Sequence, residues 1–496
     1  MKILCIGNNT TDTDFRTKKL ANQNGLPCLG LLSDLEVPVP LESIKQDGYY
    51  HTSVYDIEFG RLLELSLIFN QVIILDQPRE EYTHPDAFYK TIRLAQLIPT
   101  AIYLDPSYQT QINFFKNLVK ENPSFCIFPF VELLTINGNT TVCCRSSTPI
   151  TRLDSIVDYK TDPHYQQIRN KMINGDLVPE HCSSCYQLEE LGILSARQQE
   201  TVEWANRLNL TSLEDLDKIE HPVYYEVRPS NVCNLQCRMC NPESSNLIAR
   251  EYKRIGLISE IVEQEFNDFD FVDLQNLKKL YVAGGEPTAM PAFYNFIDRC
   301  INNCRTDFEF VVNTNAVKFN NRFKKQLQQF TNLQFIISID GYQEINNYIR
   351  WPSKWSSIIE NVKYLKEHGH TISFNTTVSI YNVTKLFDVL NFFDQEFPGT
   401  LVHCQLAKSN DDMLSALNFP NLDVSNLLLI QNLQCYRNDP LLASFVDGLI
   451  THYEQCISCD LDKLRMFFDF NDRLDHSRSV KLYDYIPELE QTRKLL

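Results

Sequence analysis

Three cysteines, Cys233, Cys237 and Cys240, lie in one short segment with the spacing CxxxCxxC. Thiolates at this spacing on a loop can converge on one point. A four-iron cluster needs four ligands, so three thiolates leave one iron open, which is typical of a catalytic cluster rather than an electron-transfer cluster. A zinc site or spare buried thiols are the alternatives. Structural zinc sites usually combine two pairs of ligands, and no second pair lies nearby.

A second motif, Gly284-Gly285-Glu286-Pro287, follows a predicted buried strand. Paired glycines allow close approach of the backbone to a ligand. Alone, this tetrapeptide would be an ordinary strand-to-helix turn. In this order after the cysteines, it resembles the radical S-adenosylmethionine (radical SAM) superfamily, whose vacant iron binds the amino and carboxylate groups of SAM. The resemblance implies that the turn and the Glu286 carboxylate meet the SAM ammonium, and that the three cysteines hold a [4Fe-4S] cluster.

The resemblance implies further SAM contacts at the ends of later predicted strands. Asn313 and Asn315 after the third strand, and Ser338 and Asp340 after the fourth, resemble positions that contact the ribose and methionine portions of SAM. Each is also compatible with a routine polar strand end.

Three more residues complete the predicted SAM site. Arg350 fits an arginine that pairs with the SAM carboxylate, because a guanidinium suits bidentate carboxylate binding. The alternative is a solvated arginine on a helix. Met239 and Val378 resemble positions where the family places apolar residues against the adenine.

A separate cysteine set lies upstream. Cys126 opens it, Cys143 follows a predicted hairpin turn, and Cys182 and Cys185 close it as a CxxC pair. The set resembles the SPASM and twitch auxiliary-cluster domains. The resemblance implies a second [4Fe-4S] cluster with four thiolate ligands and no open iron.

The upstream set departs from the full SPASM pattern, since Leu191 stands where the next cysteine would be and the set precedes the predicted barrel. A twitch-like, single-cluster module is therefore expected. A structural zinc at the same thiolates is the alternative, and Cys144 is an alternative to Cys143 as ligand. A third metal site at Cys435, Cys456 and Cys459 is weakly indicated, because the last two lie in a helical pattern.

An alternation of strands and helices must position these motifs. Helical patterns separate the strands, which predicts a parallel sheet with both faces covered. The resemblance implies an α/β fold with a partial (β/α)6, TIM-like barrel, and ligand sites on such folds lie beyond the carboxyl ends of the strands. The predicted strands are residues 223–227, 279–283, 308–312, 334–339, 371–378 and 401–406.

The rest of the chain is expected to flank this barrel. Strand patterns at residues 2–6 and 71–75, with helical patterns at 57–69 and 85–97, predict a small α/β domain of unassigned role. The expected division is an N-terminal domain at 1–120, the twitch-like module at 121–200, a linker at 201–222, the barrel at 223–410 and a mainly helical region at 411–496.

Composition narrows the classes of function. The net charge of −17 over 496 residues argues against general nucleic-acid binding or an anionic membrane surface. No apolar run is long enough to span a bilayer, and the start of the chain is too quickly polar for a secretory signal. Sixteen cysteines without a signal indicate a reducing compartment, where thiols serve metals. A cytoplasmic location is expected.

The resemblance implies reductive cleavage of SAM to a 5′-deoxyadenosyl radical that abstracts a substrate hydrogen. The electron would come from a reductase such as flavodoxin or ferredoxin. Because SPASM and twitch relatives often modify peptides or protein side chains, a maturase of ribosomal peptides or proteins is the leading hypothesis. An enzyme acting on a sugar, nucleotide or amino acid is the rival. A non-catalytic iron–sulfur or zinc scaffold is a third, against which the intact cysteine motif and Glu286 argue.

Overall fold

The computed structural model describes five short N-terminal strands and residues 106–496, apart from 137, 147, 157, 191–194, 262–267, 408–411, 420–421 and 456–459. These residues form two compact units. One comprises residues 1–130 with 165–220, and the other 131–164 with 221–496. Among the described residues, no helix has the length and apolar character needed to cross a membrane.

The first unit contains a parallel five-stranded sheet in the order β2-β3-β1-β4-β5. The strands are β1 (Lys2–Gly7), β2 (Cys28–Leu31), β3 (Gly48–Ser53), β4 (Gln71–Leu75) and β5 (Ala101–Tyr103). The strands predicted at 2–6 and 71–75 therefore form. The helical patterns predicted at 57–69 and 85–97 lie outside the described residues.

Five helices follow this sheet in the chain. They are α1 (Pro106–Glu121), α2 (Phe128–Val131), α3 (Pro163–Asn174), α4 (Pro179–Glu190) and α5 (Ala196–Arg207). Ser195 begins α5 with a capping box, in which its side chain and that of Gln198 pair with each other's backbone N–H groups. The segment 201–222 contains the end of α5 and a 3-10 helix at Leu213–Lys218, and its role as a linker stays a prediction.

The second unit contains a nine-stranded sheet in the order β14-β13-β12-β11-β10-β9-β6-β7-β8. Strands β9 to β14 each pair in parallel with the next along the chain. The strands are β6 (Glu132–Ile136), β7 (Asn139–Thr141), β8 (Thr151–Arg152), β9 (Tyr224–Arg228), β10 (Lys279–Val282), β11 (Glu309–Thr314), β12 (Leu333–Ser338), β13 (Thr371–Val378) and β14 (Leu401–Leu406).

All six predicted strands of this sheet form, and closure into a partial barrel stays a prediction. The sequence did not predict that the hairpin would extend the same sheet, with β6 pairing in parallel with β9. Residues 131–164 consequently join the second unit, whereas 165–220 join the first. The remaining domain boundaries also stay predictions.

Helices accompany the parallel strands and continue to the C-terminus. Apolar side chains from alternate strand positions pack against them; for example, the Phe374 ring of β13 stacks on Phe393 with centroids 3.9 Å apart. The helices are α6 (Asn246–Arg254), α7 (Pro291–Asn302), α8 (Asn321–Leu327), α9 (Glu344–Ile349), α10 (Trp355–Glu367), α11 (Leu386–Glu396), α12 (Leu427–Ile430), α13 (Gln434–Asn438), α14 (Pro440–Gln455), α15 (Leu461–Arg478) and α16 (Leu489–Arg493).

Helix α15 is fixed to the rest of the unit by a buried arginine from the cysteine motif. The Arg238 guanidinium donates to Asn471 Oδ1 at 2.8 Å and to Asp475 Oδ1 at 2.5 Å, both on α15. It also donates to the Tyr348 carbonyl at 3.0 Å and lies 3.6 Å from the centroid of the Tyr348 ring. The arginine is fully buried, so its charge depends on these partners.

We expect Asp475→Ala to lower the free energy of unfolding of this unit by about 3–5 kcal/mol, because it leaves a buried guanidinium without its carboxylate. Chemical denaturation followed by circular dichroism measures the change. Asp469→Ala is the control on the same helix. Its partner Arg473 is solvent-exposed, so the expected loss is below about 1 kcal/mol. Equal losses in the two variants would contradict the anchoring role of Asp475.

Candidate SAM and iron–sulfur site

The three cysteines lie on the loop between β9 and α6, at the carboxyl end of β9. This cysteine loop (residues 229–245) has no long regular element, and other segments pair its backbone. Gln236 N–H donates to the Trp351 carbonyl at 2.5 Å, and Arg238 N–H donates to the Ile349 carbonyl at 2.8 Å. The end of α9 and the segment that follows it therefore hold the stretch between the first and third cysteines.

The loop brings the thiols of Cys233, Cys237 and Cys240 to one cavity of about 220 Å³. Burial raises the pKa of Cys233 to about 12, and the nearby Cys237 adds to this shift. Burial and the other two thiols likewise raise the pKa of Cys240. Three clustered, soft donors fit an iron–sulfur cluster, whose positive irons would favour the thiolate forms. In the described part of the chain, no three Cys, His, Asp or Glu side chains surround a single-ion position.

The glycine pair is explained by contact with the cysteine loop. A Cβ on Gly285 would lie 2.1 Å from the Val232 carbonyl oxygen. Gly284 has a φ of 121°, a conformation that side chains rarely adopt. Gly285 N–H donates to the Ser230 carbonyl at 2.9 Å, and Glu286 N–H to that of Val232 at 2.8 Å. Both glycines also line the cavity. The contacts with the backbone of the cysteine loop are by themselves enough to require glycine at both positions.

The Glu286 carboxylate is almost fully buried at the wall of the cavity. Its Oε1 accepts from the hydroxyls of Thr288 at 2.7 Å and Thr314 at 2.6 Å, and its Oε2 accepts from Asn315 N–H at 2.7 Å. Burial raises the pKa of Glu286, while these hydrogen bonds act in the opposite direction. Glu286 thus joins the turn after β10 to the end of β11 and lines the cavity.

A row of hydrogen-bonded side chains crosses the carboxyl ends of three strands. Tyr281 OH accepts from Asn313 Nδ2 at 2.9 Å, and Asn313 Oδ1 accepts from the Ser338 hydroxyl at 3.0 Å. Asn315 Nδ2 donates to Asn234 Oδ1 of the cysteine loop at 2.7 Å. Asn313, Asn315 and Ser338 all line the cavity, so the predicted strand-end residues come together.

Asp340 and Arg350 form a buried pair on another wall of the cavity. Arg350 Nε donates to Asp340 Oδ2 at 2.6 Å, and Asp340 Oδ1 accepts from Thr377 N–H at 2.8 Å. Although burial opposes its charge, Asp340 and the nearby Cys237 raise the pKa of Arg350. Within the described residues, no group accepts from the Nη atoms of Arg350, so this edge of the guanidinium remains for an anion. The solvated-helix alternative does not fit, because Arg350 follows α9 and is largely buried.

Met239 lines the cavity as predicted, whereas Val378 does not. Val378 is fully buried, and its neighbour Thr377 lines the cavity instead. Side chains of a strand alternate between its two faces, and burial along β13 follows this alternation. The period-two pattern of residues 371–378 could therefore have identified Thr377. Four further lining residues were not predicted: Leu235, Ser244, Ala283 and Thr314.

The upstream cysteines divide between the two units. In the first unit, Cys126, Cys182 and Cys185 are buried, and both α4 thiols act on Cys126 electrostatically. Burial, followed by the charge of Cys182, raises the pKa of Cys126. Cys143, buried, and Cys144, exposed, belong to the second unit. The four-cysteine set therefore stays a prediction. Of the proposed third site, Cys456 and Cys459 lie outside the described residues.

A buried ion pair supports the segment before Cys126. Arg197 Nε donates to Glu189 Oε1 at 2.9 Å, and Arg197 Nη1 donates to the Phe125 carbonyl at 2.8 Å. The Ser195 hydroxyl also donates to Glu189. The residues that follow the CxxC pair thus join α4 and α5 to the backbone next to Cys126.

Residues 227–391 match the family model described as the Radical SAM superfamily. The chain therefore contains a radical SAM domain, and this match supports a radical SAM enzyme. The matched residues include the cysteine motif, the glycine turn and Arg350. No curated protein matches the chain.

Several solved structures resemble part of the chain. Streptococcus suis SuiB bound to S-adenosylmethionine is 16% identical, with 49% of this chain and 55% of that chain covered and a TM-score of 0.28. SuiB bound to precursor peptide SuiA is 14% identical, with 54% of this chain and 59% of that chain covered and a TM-score of 0.30. Native anSMEcpe with bound AdoMet and Cp18Cys peptide is 15% identical, with 46% of this chain and 62% of that chain covered and a TM-score of 0.31. The chain thus spans less than two thirds of the length of these structures, and the domain assignment rests on the family match.

We expect Gly285→Ala to displace the cysteine loop, because the added methyl group would collide with the Val232 backbone. Iron bound after anaerobic reconstitution should fall in this variant, and the free energy of unfolding should fall with it. Gly448→Ala is the control, since no atom lies within 4 Å of the added Cβ and alanine favours the helix. Normal iron content in Gly285→Ala would contradict the close contact.

Proposed function

We propose that this protein is a radical SAM enzyme that cleaves SAM reductively and abstracts a hydrogen from its substrate. The observation that carries the proposal is the convergence of three thiols, a buried carboxylate and an arginine edge on one cavity. Cys233, Cys237 and Cys240 would hold a [4Fe-4S] cluster. When bound, the cluster and SAM would supply the electron, the sulfonium bond that breaks and the 5′-deoxyadenosyl radical.

The chain's own residues would bind and orient SAM. The Nη edge of Arg350 suits the SAM carboxylate, and Asp340 fixes the plane of that guanidinium through Nε. Glu286 suits the SAM ammonium, because its carboxylate is held in place by Thr288, Thr314 and Asn315. Asn313, Ser338 and Met239 would contact the remainder of SAM. Thr377, which lines the cavity, is a further candidate SAM contact, and Val378 stays a predicted adenine contact.

The proposed substrate is a peptide or protein side chain. The resemblance of the upstream cysteines to a twitch-like set favours this class. A small-molecule substrate is the alternative. Mass spectrometry after reaction with a candidate of each class distinguishes them, since the change of mass appears either in the peptide or in the small molecule.

The proposal also includes an auxiliary [4Fe-4S] cluster at Cys126, Cys143, Cys182 and Cys185. The three buried thiols of the first unit and the ion pair that supports Cys126 are its structural support. Such a cluster could accept an electron from the product radical or relay one inward. A flavodoxin or ferredoxin is the proposed external electron donor.

Cys237→Ala tests the activity and the second cluster together. Because the variant lacks one of three thiolates, 5′-deoxyadenosine formation from SAM and a chemical reductant should be lost. Iron and sulfide should fall by about one cluster of two, with the remainder in the auxiliary set. Liquid chromatography and metal analysis after anaerobic reconstitution make the measurement.

Cys304→Ala is the control, since this cysteine is exposed and outside both sets. Undiminished 5′-deoxyadenosine formation in Cys237→Ala would overturn the assignment of the catalytic cluster. One zinc and no residual iron in that variant would make the upstream set a structural zinc site.

Arg350→Met should weaken SAM binding by about 1.5–3 kcal/mol, the value of a hydrogen bond to a charged group. Isothermal titration of the reconstituted protein measures the Kd. Arg350→Lys keeps the charge opposite Asp340 and controls for loss of the buried pair, but it removes the planar fork and should still bind SAM less tightly. Arg322→Met, at an exposed ion pair, should bind SAM normally. An unchanged Kd in both Arg350 variants would remove this residue from the SAM site.

A further inference from the structure

A basic surface lies where the end of α6 meets the end of α15. We define it by Arg250, Lys253 and Arg254 of α6 and by Arg473 and His476 of α15, all exposed. On a helix, residues three and four apart are neighbours, so Arg250 adjoins Lys253 and Arg254, and Arg473 adjoins His476. Arg254, Arg473 and His476 line a recess of about 410 Å³ between the two helices.

This basic surface stands out on a chain whose net charge is −17. Arg473 is itself paired with Asp469 at 2.9 Å, and Asp472 is paired with Arg493 at 2.6 Å. The buried Glu251 of α6 lies 3.5 Å from Arg254 and 2.6 Å from Arg478, so one carboxylate faces two guanidinium groups. Arg250 and Lys253 form no ion pair within the described part of the chain, so the surplus positive charge of this surface comes from these two residues and from the Glu251 group. An acidic partner, repelled by the chain as a whole, would be attracted at this point.

Hydrogen bonds connect the basic surface directly to the cysteine loop. Arg254 Nη2 donates to the Ser477 hydroxyl at 2.5 Å, which donates to Glu251 Oε1 at 2.9 Å. Arg478 donates from Nη2 to Glu251 Oε2 at 2.6 Å and to the Gln236 carbonyl at 2.7 Å. Gln236 immediately precedes Cys237. The surface is therefore linked, through Ser477, Glu251 and Arg478, to the residue that precedes Cys237.

We propose that the basic surface docks an acidic, one-electron donor protein that reduces the cluster at Cys233, Cys237 and Cys240. The inference rests on the proposed function and locates its electron entry. One electron passes from the donor to the cluster, the donor is oxidised by one electron, and no bond forms between the proteins. Charge complementarity selects a flavodoxin-like or ferredoxin-like acidic surface, and proximity to the cysteine loop explains why docking occurs here.

The test compares a protein donor with a chemical one. Lys253→Glu combined with Arg473→Glu reverses one charge on each helix and leaves Arg254, Ser477 and Arg478 in place. With reduced flavodoxin at low salt, the rate of 5′-deoxyadenosine formation should fall at least tenfold. With dithionite, which needs no docking site, the rate should match that of the unaltered protein. Added salt should slow the flavodoxin reaction of the unaltered protein, because it screens the attraction.

Arg465→Glu is the matched control, since this arginine is exposed on α15 and paired with Asp462 as Arg473 is with Asp469. Its flavodoxin-driven rate should fall less than twofold. Equal flavodoxin rates in the double variant and the unaltered protein would overturn the docking site. Binding of inorganic phosphate at the recess, together with equal flavodoxin rates, would also overturn the docking site and would make the recess a small-anion pocket. Absence of 5′-deoxyadenosine with dithionite in the unaltered protein would instead refute the proposed function itself.

Discussion

The cysteine loop has little regular secondary structure, so its buried backbone groups must find hydrogen-bond partners in other segments. It finds them on two sides. The glycine turn after β10 donates to the carbonyls of Ser230 and Val232, and the end of α9 with the segment that follows it accepts from Gln236 and Arg238. The positions of three thiols are thereby set by strands and helices that are themselves rigid. Removing either side would leave unpaired polar groups in the interior as well as a displaced loop.

Local patterns in the sequence predicted most of the strands and cavity residues that these contacts hold in place. The six parallel strands form close to their expected limits, because alternating and apolar runs of β-branched and aromatic residues are a local signal. Once the strands are parallel, their carboxyl ends share one edge, and residues such as Asn313 and Ser338 must meet there. At β13 the alternation of side chains places Thr377 rather than Val378 on the cavity side, and an adenine contact at Val378 stays a prediction.

The features that the sequence did not predict depend on contacts between segments that are far apart in the chain. Arg238 stands inside the cysteine motif, yet its partners Asn471 and Asp475 lie more than 230 residues away, and no pattern in either segment identifies the pairing. The addition of β6 to β9 is equally non-local. The glycine pair shows a third case, in which the sequence indicated that space was needed but not which backbone fills it. A side chain at Gly285 would collide with the Val232 backbone, so this glycine is required by a contact within the protein, and the same residue lines the cavity.

The anchoring of the cysteine loop by α15 also bears on when the site can form during synthesis. A ribosome adds residues from the N-terminus, so the loop emerges long before the helix whose Asp475 and Arg478 hold it. Until the chain has been extended to Arg478, Arg238 has no carboxylate partner and the carbonyl of Gln236 lacks its donor. The loop therefore reaches its final shape only after the last helices have been translated.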